Sequence, residues 1–382
     1  MRATLTLAVI ALAGCPAAVQ PRQATTPDPT PTDPTTPDQT PTQAAPPSIT
    51  WGRVESPADV PSEPPPAGTW RIHMIDVGTG LAMLVQGADF SLLFDAGSND
   101  PDAKPLHVIS YLSAALGPSG DEQCGGVAGA PTGTRRRIDH VILSHPHQDH
   151  ASALDLVLHC YDVGHVWDSG AINDAVFYRD FLTAVSEATG ATYHTAAPPP
   201  DDRTLRVKGF GVTMPSDVIW QAFGEGDEVA LGAGARFTLL HAEGKKHSDP
   251  NQNSIVVAVD LGGARLLLTG DAESGDREDP SAPIGDVEEH VVSHFPELVD
   301  ADILQVGHHG SKTSSRRAFL DAVSPRLALV SAGPKLYRKV RLPDAEVLGA
   351  LEAVGATVLR TDEHDPECRA CDSWLVTIAP AP

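Results

Sequence analysis

A histidine-rich segment, Ser144-His145-Pro146-His147-Gln148-Asp149-His150, limits the folds open to this chain more than any other feature. It directly follows an apolar run, residues 138–143, which predicts a buried strand. Imidazole and carboxylate groups hold zinc, manganese or iron at neutral pH. His145 and His147 can converge on one ion, while Asp149 and His150 can reach a second. A structural role for a lone histidine would be common, but this spacing after a strand predicts a metal site.

The N-terminus predicts export. Arg2 supplies a positive start, and residues 5–13 form an apolar segment that is too short to span a membrane. The segment ends in Leu12-Ala13-Gly14-Cys15, which resembles a bacterial lipobox. We therefore expect residues 1–15 to be a lipoprotein signal peptide and Cys15 to carry a lipid that anchors the protein at the cell envelope. An ordinary secretory signal is the alternative, and it also predicts export.

Composition divides the remainder into a tether and a domain. Residues 16–68 are rich in proline and threonine with few large apolar residues, so they predict a disordered tether. Residues 69–382 are long enough for one large α/β domain. Its four cysteines, Cys124, Cys160, Cys368 and Cys371, could form two disulfides in an exported protein. The Cys368–Cys371 spacing alone is weak support for the alternative of a redox or zinc motif.

Aspartate and histidine residues that can bind a metal ion recur where predicted strands end. Asp95, the 145–150 segment, Asp271 and the pair His308-His309 each follow an apolar run. In α/β folds such positions meet at one rim. Asp271 can bridge two cations through its two oxygens, and Gly270 lets the backbone turn toward them. Of the histidine pair, His308 is the preferred ligand, which leaves His309 to support the site or to face the substrate.

Six motifs resemble, in order, those of the metallo-β-lactamase superfamily. They are Ile75-Asp76-Val77-Gly78-Thr79-Gly80, Leu93-Phe94-Asp95-Ala96-Gly97, the 144–150 segment, Asn251-Gln252-Asn253-Ser254, Leu268-Thr269-Gly270-Asp271 and Val306-Gly307-His308-His309-Gly310-Ser311. The last motif, continued by residues 312–315, is similar to the extracytoplasmic domain of ComEC-type competence proteins. The resemblance implies a four-layer αβ/βα sandwich and two divalent ions, zinc first and manganese second. It places His145 and His147 on one ion, Asp149, His150 and His308 on the other, and Asp271 between them.

Three departures from that resemblance bear on the site. Thr79 and Leu81 stand where ComEC-type chains usually carry glutamine and aspartate, and Arg341-Leu342 replaces a histidine before a proline. Many superfamily members also have another histidine ligand between the central segment and the bridging aspartate. Here the candidates are His247, Asn251 and Asn253, and the sequence does not choose among them.

The net charge of the chain and the distribution of its cations help to predict the class of substrate. The formal net charge of −23 argues against non-specific binding of nucleic acid over the whole surface. Residues 303–341, however, hold eight cations and one acid, Asp321. These cations are Lys312, Arg316, Arg317, Arg326, Lys335, Arg338, Lys339 and Arg341. Together with His309, Lys312 and Arg316 are the predicted substrate-binding residues. A solvated positive face is an equally weighted alternative.

The predicted activity is metal-assisted hydrolysis. Two ions lower the pKa of a bound water, and Asp149 or Asp271 can accept a proton. Family resemblance and the cationic segment favour phosphodiesters, including nucleic acid, as substrates. Hydrolysis of small esters or lactones is the alternative within enzymes, and a lipid-tethered DNA-binding protein with a structural metal is the non-enzymatic one. The sequence indicates no protein partner.

Overall fold

The computed structural model describes residues 46–100, 106–117, 124, 136–337, 339–364 and 371–381. The strands in its first half are β1 Ser48–Val54, β2 Trp70–Met74, β3 Ala82–Gln86, β4 Ser91–Ala96, β5 Arg136–Leu143, β6 Tyr161–Asp168, β7 Thr192–Thr195, β8 Thr204–Val207, β9 Phe210–Thr213 and β10 Ile219–Ala222. Those in its second half are β11 Glu228–Gly232, β12 Ala235–His241, β13 Val256–Leu261, β14 Ala264–Leu268, β15 Ile303–Gln305, β16 Leu327–Val330, β17 Leu336–Tyr337, β18 Val340–Arg341, β19 Thr357–Arg360 and β20 Ser373–Ala379. The helices are α1 Leu106–Leu116, α2 Gln148–Ala151, α3 Leu154–Cys160, α4 Val176–Glu187, α5 Asp286–His294, α6 Pro296–Val299, α7 Arg317–Val323 and α8 Ala345–Ala353.

The strands form two large sheets. The first has the order β1-β20-β2-β3-β4-β5-β6-β7-β10, and the second has the order β11-β12-β13-β14-β15-β16-β19. β13 and β14 are joined by a tight turn, in which Gly262 and Gly263 have positive φ angles of 59° and 100°. Only glycine adopts two such angles without steric cost, so this dipeptide sets the register of the hairpin.

Alternating side chains divide each sheet into two faces and create four layers. In β3, Ala82 and Leu84 pack in the core that includes α1, α3 and α4, whereas Met83 and Val85 pack in the core between the sheets. In β13, Val257 and Val259 join the core between the sheets, and its alternate residues face α5, α7 and α8. Because successive side chains point to opposite faces, both sheets bury apolar residues on two sides. The predicted αβ/βα sandwich is confirmed.

The predicted tether is wrong at its C-terminal end. Residues 48–54 form β1, which pairs antiparallel with β20 along its whole length. Val54 and Val60 are buried in the core, so the folded domain begins before residue 69. Backbone pairing at a sheet edge needs few apolar side chains, and the partner strand lies at the far end of the chain. Residues 1–45, including the predicted lipidation site Cys15, lie outside the described residues.

Two further features bear on cellular location. Cys124 is bonded to Cys160, and Cys371 is also in a disulfide. The other member of the C-x-x-C pair, Cys368, lies outside the described residues. Among the helices that the structure describes, none is both long and apolar enough to cross a membrane.

Candidate metal centre

The predicted site residues lie at the ends of strands in both sheets. β4 and β5 are parallel neighbours in the first sheet, and β14 and β15 are parallel neighbours in the second. Because the carboxyl ends of parallel strands meet at one edge, Asp95 and the 144–150 loop adjoin each other, as do Asp271 and the 307–310 turn. The two edges face each other, since His150 Nε2 lies 3.1 Å from Asp271 Oδ1.

One group of possible metal ligands consists of His145, His147 and Asp271, whose ligand atoms all lie within 4.8 Å of one another. His145 Nε2 is 3.0 Å from His147 Nδ1 and 3.9 Å from Asp271 Oδ2. His145 is fully buried, and burial, followed by the neighbouring His150, holds its pKa well below the ordinary value. A neutral imidazole is the form that binds a metal ion.

A second group consists of Asp149, His150 and His309, also within 4.8 Å of one another. His309 Nε2 lies 3.7 Å from Asp149 Oδ2 and 3.7 Å from Asp271 Oδ2. Asp271 therefore stands between the two groups, with one oxygen near His150 and the other near His145 and His309. This arrangement suits a carboxylate shared by two cations.

The structure reverses the preference between the two neighbouring histidines. His309, not His308, joins the second group. His309 Nδ1 donates to the carbonyl oxygen of Ser331 at 2.9 Å, which leaves Nε2 to face the carboxylates. His308 places Nδ1 2.7 Å from Glu273 Oε1, and its Nε2 lies 3.9 Å from Asp271 Oδ2 without joining either three-residue group. Both residues have left-handed backbone angles, with φ of 47° and 54°, so the turn sends consecutive side chains in directions that a strand would not.

The ligand atoms are suited to hold metal ions. His150 Nε2, His309 Nε2 and Asp271 Oδ1 are buried, and none of them makes a hydrogen bond of good geometry among the described residues, although His150 Nε2 and Asp271 Oδ1 lie 3.1 Å apart as an ion pair. Buried polar atoms are normally hydrogen-bonded, and leaving one unpaired costs about 1–3 kcal/mol. Three such atoms, all nitrogen or carboxylate oxygen and all within one site, fit a pair of divalent cations.

Asp95 orients His150. Its Oδ2 accepts from His150 Nδ1 at 2.7 Å and from Ser144 Oγ at 2.7 Å, and its Oδ1 accepts from the Ser144 amide. Burial lowers the pKa of His150, but the carboxylates of Asp271 and Asp95 outweigh it and hold that pKa well above the ordinary value, so a metal ion bound at Nε2 would displace a proton. With Nδ1 held by Asp95, the ring presents Nε2 to the site.

Asp95→Asn should weaken metal binding about 10- to 100-fold, the usual effect of removing a carboxylate partner from a histidine ligand. Competition with a chromophoric zinc chelator would measure the change. Asp139→Asn is the matched control, because Asp139 also lies on the first sheet and hydrogen-bonds a neighbouring serine, Ser91. Equal affinity of the Asp95 variant and wild type would show that Asp95 does not position the ligand.

Tyr337 belongs to the site, although sequence reasoning did not identify it. Its hydroxyl donates to Asp149 Oδ2 at 2.6 Å, and Asn99 Nδ2 approaches the same hydroxyl at 3.4 Å. Burial, and then the charge of Asp149, raise the pKa of Tyr337, so the phenol stays protonated and can donate. Tyr337 lies on the two-residue strand β17, which carries no periodic signal. Its place in a basic segment was the one hint available.

Two predicted substrate-binding residues do not face the metal ligands. Arg316 is 1% exposed, and its guanidinium donates to the carbonyl oxygens of Asp276 and Asp279. It therefore holds the 276–279 loop in place, and the prediction that it binds substrate is wrong. Lys312 forms an ion pair with Glu346 at 2.8 Å. That pair partly neutralises the charge that was expected to attract phosphate.

The three candidates for a further ligand have different roles. Asn253 donates to the carbonyl oxygens of Glu243 and Lys245 and accepts from the His247 amide, so it fixes the loop. His247 pairs with Glu243. Asn251 is buried beside Glu273, to which its amide donates at 3.1 Å. Its Oδ1 is buried and has no hydrogen-bond partner in the part of the chain that the structure describes, so Asn251 is the candidate of the three that keeps a donor atom for a ligand.

The family model for the Metallo-beta-lactamase superfamily matches residues 75–333. The chain belongs to the metallo-β-lactamase superfamily. Recombination protein 2 of Haemophilus influenzae is 27% identical over 267 residues, which cover 69% of this chain and 24% of that protein. ComE operon protein 3 of Bacillus subtilis is 28% identical over 302 residues, covering 77% and 32%.

The predicted similarity to competence proteins is thus confirmed, although this chain spans only about a quarter to a third of these relatives. Among solved structures, the metallo-β-lactamase fold protein YhfI from Bacillus subtilis has a TM-score of 0.42 and 14% identity, covering 80% of this chain and 99% of that one.

Proposed function

We propose that this metallo-β-lactamase domain is an exported, metal-dependent phosphodiesterase. The observation that carries the proposal is the pair of three-residue ligand groups with Asp271 between them. His145, His147 and Asp271 would hold one divalent cation, and Asp149, His150 and His309 would hold the other, with zinc preferred and manganese second. Such ions supply a hydroxide near neutral pH and stabilise negative charge on the attacked centre.

The residues of the chain supply orientation and a proton acceptor. Asp149 and Asp271 have carboxylate oxygens within 3.7 Å of His309 Nε2, in the space between the two groups. Either can take the proton of an attacking water. Tyr337, by donating to Asp149 Oδ2, fixes the position of that oxygen. His308 is 21% exposed, pairs with Glu273 through Nδ1 and has Nε2 3.9 Å from Asp271 Oδ2, so its ring can contact a substrate bound beside that carboxylate.

Phosphodiesters are the preferred substrate class because of the chain's relatives and its local charge. One relative, Recombination protein 2, is named for recombination, and another, Competence protein ComA of Neisseria gonorrhoeae, is named for competence; both are processes of DNA. Cations also flank the site, although those on residues 312–326 are paired or buried. This pairing, together with the net charge of −23, is what favours small neutral esters or lactones as the second candidate.

The test is hydrolysis of bis-p-nitrophenyl phosphate by the chain loaded with zinc or manganese, beside a lactone and a p-nitrophenyl ester. We expect turnover of the diester that is lost after chelation and restored by metal. Turnover of the lactone or ester alone would favour the second candidate. Metal binding without turnover of any substrate would favour the non-enzymatic alternative, a tethered DNA-binding protein.

The envelope anchor is a separate part of the proposal and rests on the sequence before residue 16. Cys15→Ser should remove the thiol that would carry the lipid, so the variant should move from the detergent phase to the aqueous phase in a detergent partition. Cys15→Ala provides a second variant without a thiol. Wild type found only in the aqueous phase would contradict the anchor and leave ordinary secretion.

A further inference from the structure

The eight cations of residues 303–341 separate into two sets in the structure. The first four are engaged within the domain. Lys312 pairs with Glu346, Arg317 with Asp321 and Arg326 with Asp302, while Arg316 is buried against carbonyl oxygens. The other four, Lys335, Arg338, Lys339 and Arg341, occur within seven residues of sequence. Arg338 lies outside the described residues, and the other three lie on or beside the short ribbon formed by β17 and β18. We call residues 335–337 and 339–341 the basic ribbon.

The basic ribbon is attached to the metal centre. Tyr337 on β17 donates to Asp149 Oδ2 at 2.6 Å. Lys335 donates its amide to Thr79 Oγ1 at 3.0 Å, and its ammonium lies 5.4 Å from the ring centroid of Tyr337. Thr79, one of the departures from the ComEC-type pattern, therefore holds the base of the ribbon. The ammonium of Lys335 is thus separated from the predicted metal ligand Asp149 by one side chain, that of Tyr337.

Two lysines of the ribbon can meet an external ligand. Lys339 is exposed, and within the described ranges no ion pair neutralises the ammonium of Lys335 or Lys339. Two such ammonium groups are suited to a ligand that carries several phosphates.

We propose that the basic ribbon binds the backbone of a single-stranded nucleic acid next to the phosphodiester bond that is cleaved. A small diester occupies the metal centre alone, whereas a strand carries further phosphates that extend to Lys335 and Lys339. The chain as a whole has a net charge of −23 and repels a polyanion, so a local group of cations directs where a strand can lie. This inference rests on the proposed function and adds to it the polymer and its path.

The test is fluorescence anisotropy of a labelled, single-stranded phosphorothioate oligonucleotide, which resists hydrolysis, with the metal-loaded chain. Lys335→Ala together with Lys339→Ala should weaken binding about 25-fold at 0.1 M salt and reduce the salt slope by about 1.4, since each cation contributes about 0.7 on single strands. Arg236→Ala with Arg326→Ala is the matched control. It also removes two positive charges, but at the strand ends opposite those that carry the metal ligands, where these arginines pair with Asp260 and Asp302.

The outcomes separate this inference from the proposed function. Hydrolysis of bis-p-nitrophenyl phosphate by wild type decides the proposed function alone. If that activity is present and the two double variants lose affinity equally, the ribbon has no special role and the inference is overturned. Failure of wild type to bind the oligonucleotide overturns it too. Selective loss in the ribbon variant, with the smaller salt slope, supports it.

Discussion

Asp271→Ala is expected to remove metal from both ligand groups and to lower kcat/KM for the diester by a factor of about 1,000 or more. The carboxylate lies 3.1 Å from His150 and within 3.9 Å of His145 and His309, so its loss takes a ligand from each group at once. A metal ion contributes several kcal/mol to transition-state stabilisation, and about 4 kcal/mol corresponds to that factor. Elemental analysis and diester turnover, measured on the same preparation, test this.

The matched control is Asp168→Asn, because Asp168 is another fully buried aspartate at the end of a strand. Its Oδ2 accepts from the hydroxyls of Tyr178 and Tyr193 and contacts neither ligand group. This control should keep its metal even if it is less stable. An Asp271→Ala protein that retains both metal and turnover would contradict the shared-carboxylate arrangement and, with it, the proposed mechanism.

The parts of the site that are local in sequence could be predicted. The 144–150 segment supplies ligands to both groups from seven consecutive residues, and strand-end chemistry placed Asp95 and Asp271 at the same rim. The layered fold follows from the alternation of side chains between two faces in strands such as β3 and β13. A window of five or six residues is long enough to contain that alternation. For such features, the pattern within a short stretch of sequence predicts the same structure that tertiary packing produces.

The parts that depend on distant partners could not be predicted. Arg316 is buried because its acceptors lie 37 and 40 residues earlier in the chain, where nothing in the sequence marks them. β1 is a strand because β20 pairs with it, and the hydrogen bond from Ser48 to Ala379 spans 331 residues. Tyr337 reaches Asp149 across 188 residues. In each case a residue with no local signal is fixed by tertiary contact.

The choice between His308 and His309 shows the same limit within two adjacent residues. Identical side chains in succession give no compositional basis for a choice, and a strand-like backbone would have sent them to opposite faces. The structure decides through two left-handed backbone angles and through acceptors from other elements. Ser331 accepts from His309, and Glu273 contacts His308. The sequence predicted that one of the pair is a ligand, and the turn determines which.

His309→Ala should therefore weaken metal binding in the second group by at least about 100-fold, whereas His308→Ala should bind metal nearly as well as wild type. Even the outer partners of metal-binding histidines are worth about 10- to 100-fold, and His309 offers Nε2 itself. The two variants lose the same ring from adjacent positions, so each controls for the other. Chelator competition measures affinity, and circular dichroism verifies that both fold.

Diester turnover separates the two histidines further. With metal retained, His308→Ala should chiefly raise KM, because its partly exposed ring lies beside Asp271 and pairs with Glu273 outside the ligand groups. His309→Ala should lose turnover together with metal and regain part of it at high metal concentration, since mass action refills a weakened site. If instead His308→Ala loses metal and His309→Ala keeps it, the ligand set of the second group must be reassigned to include His308.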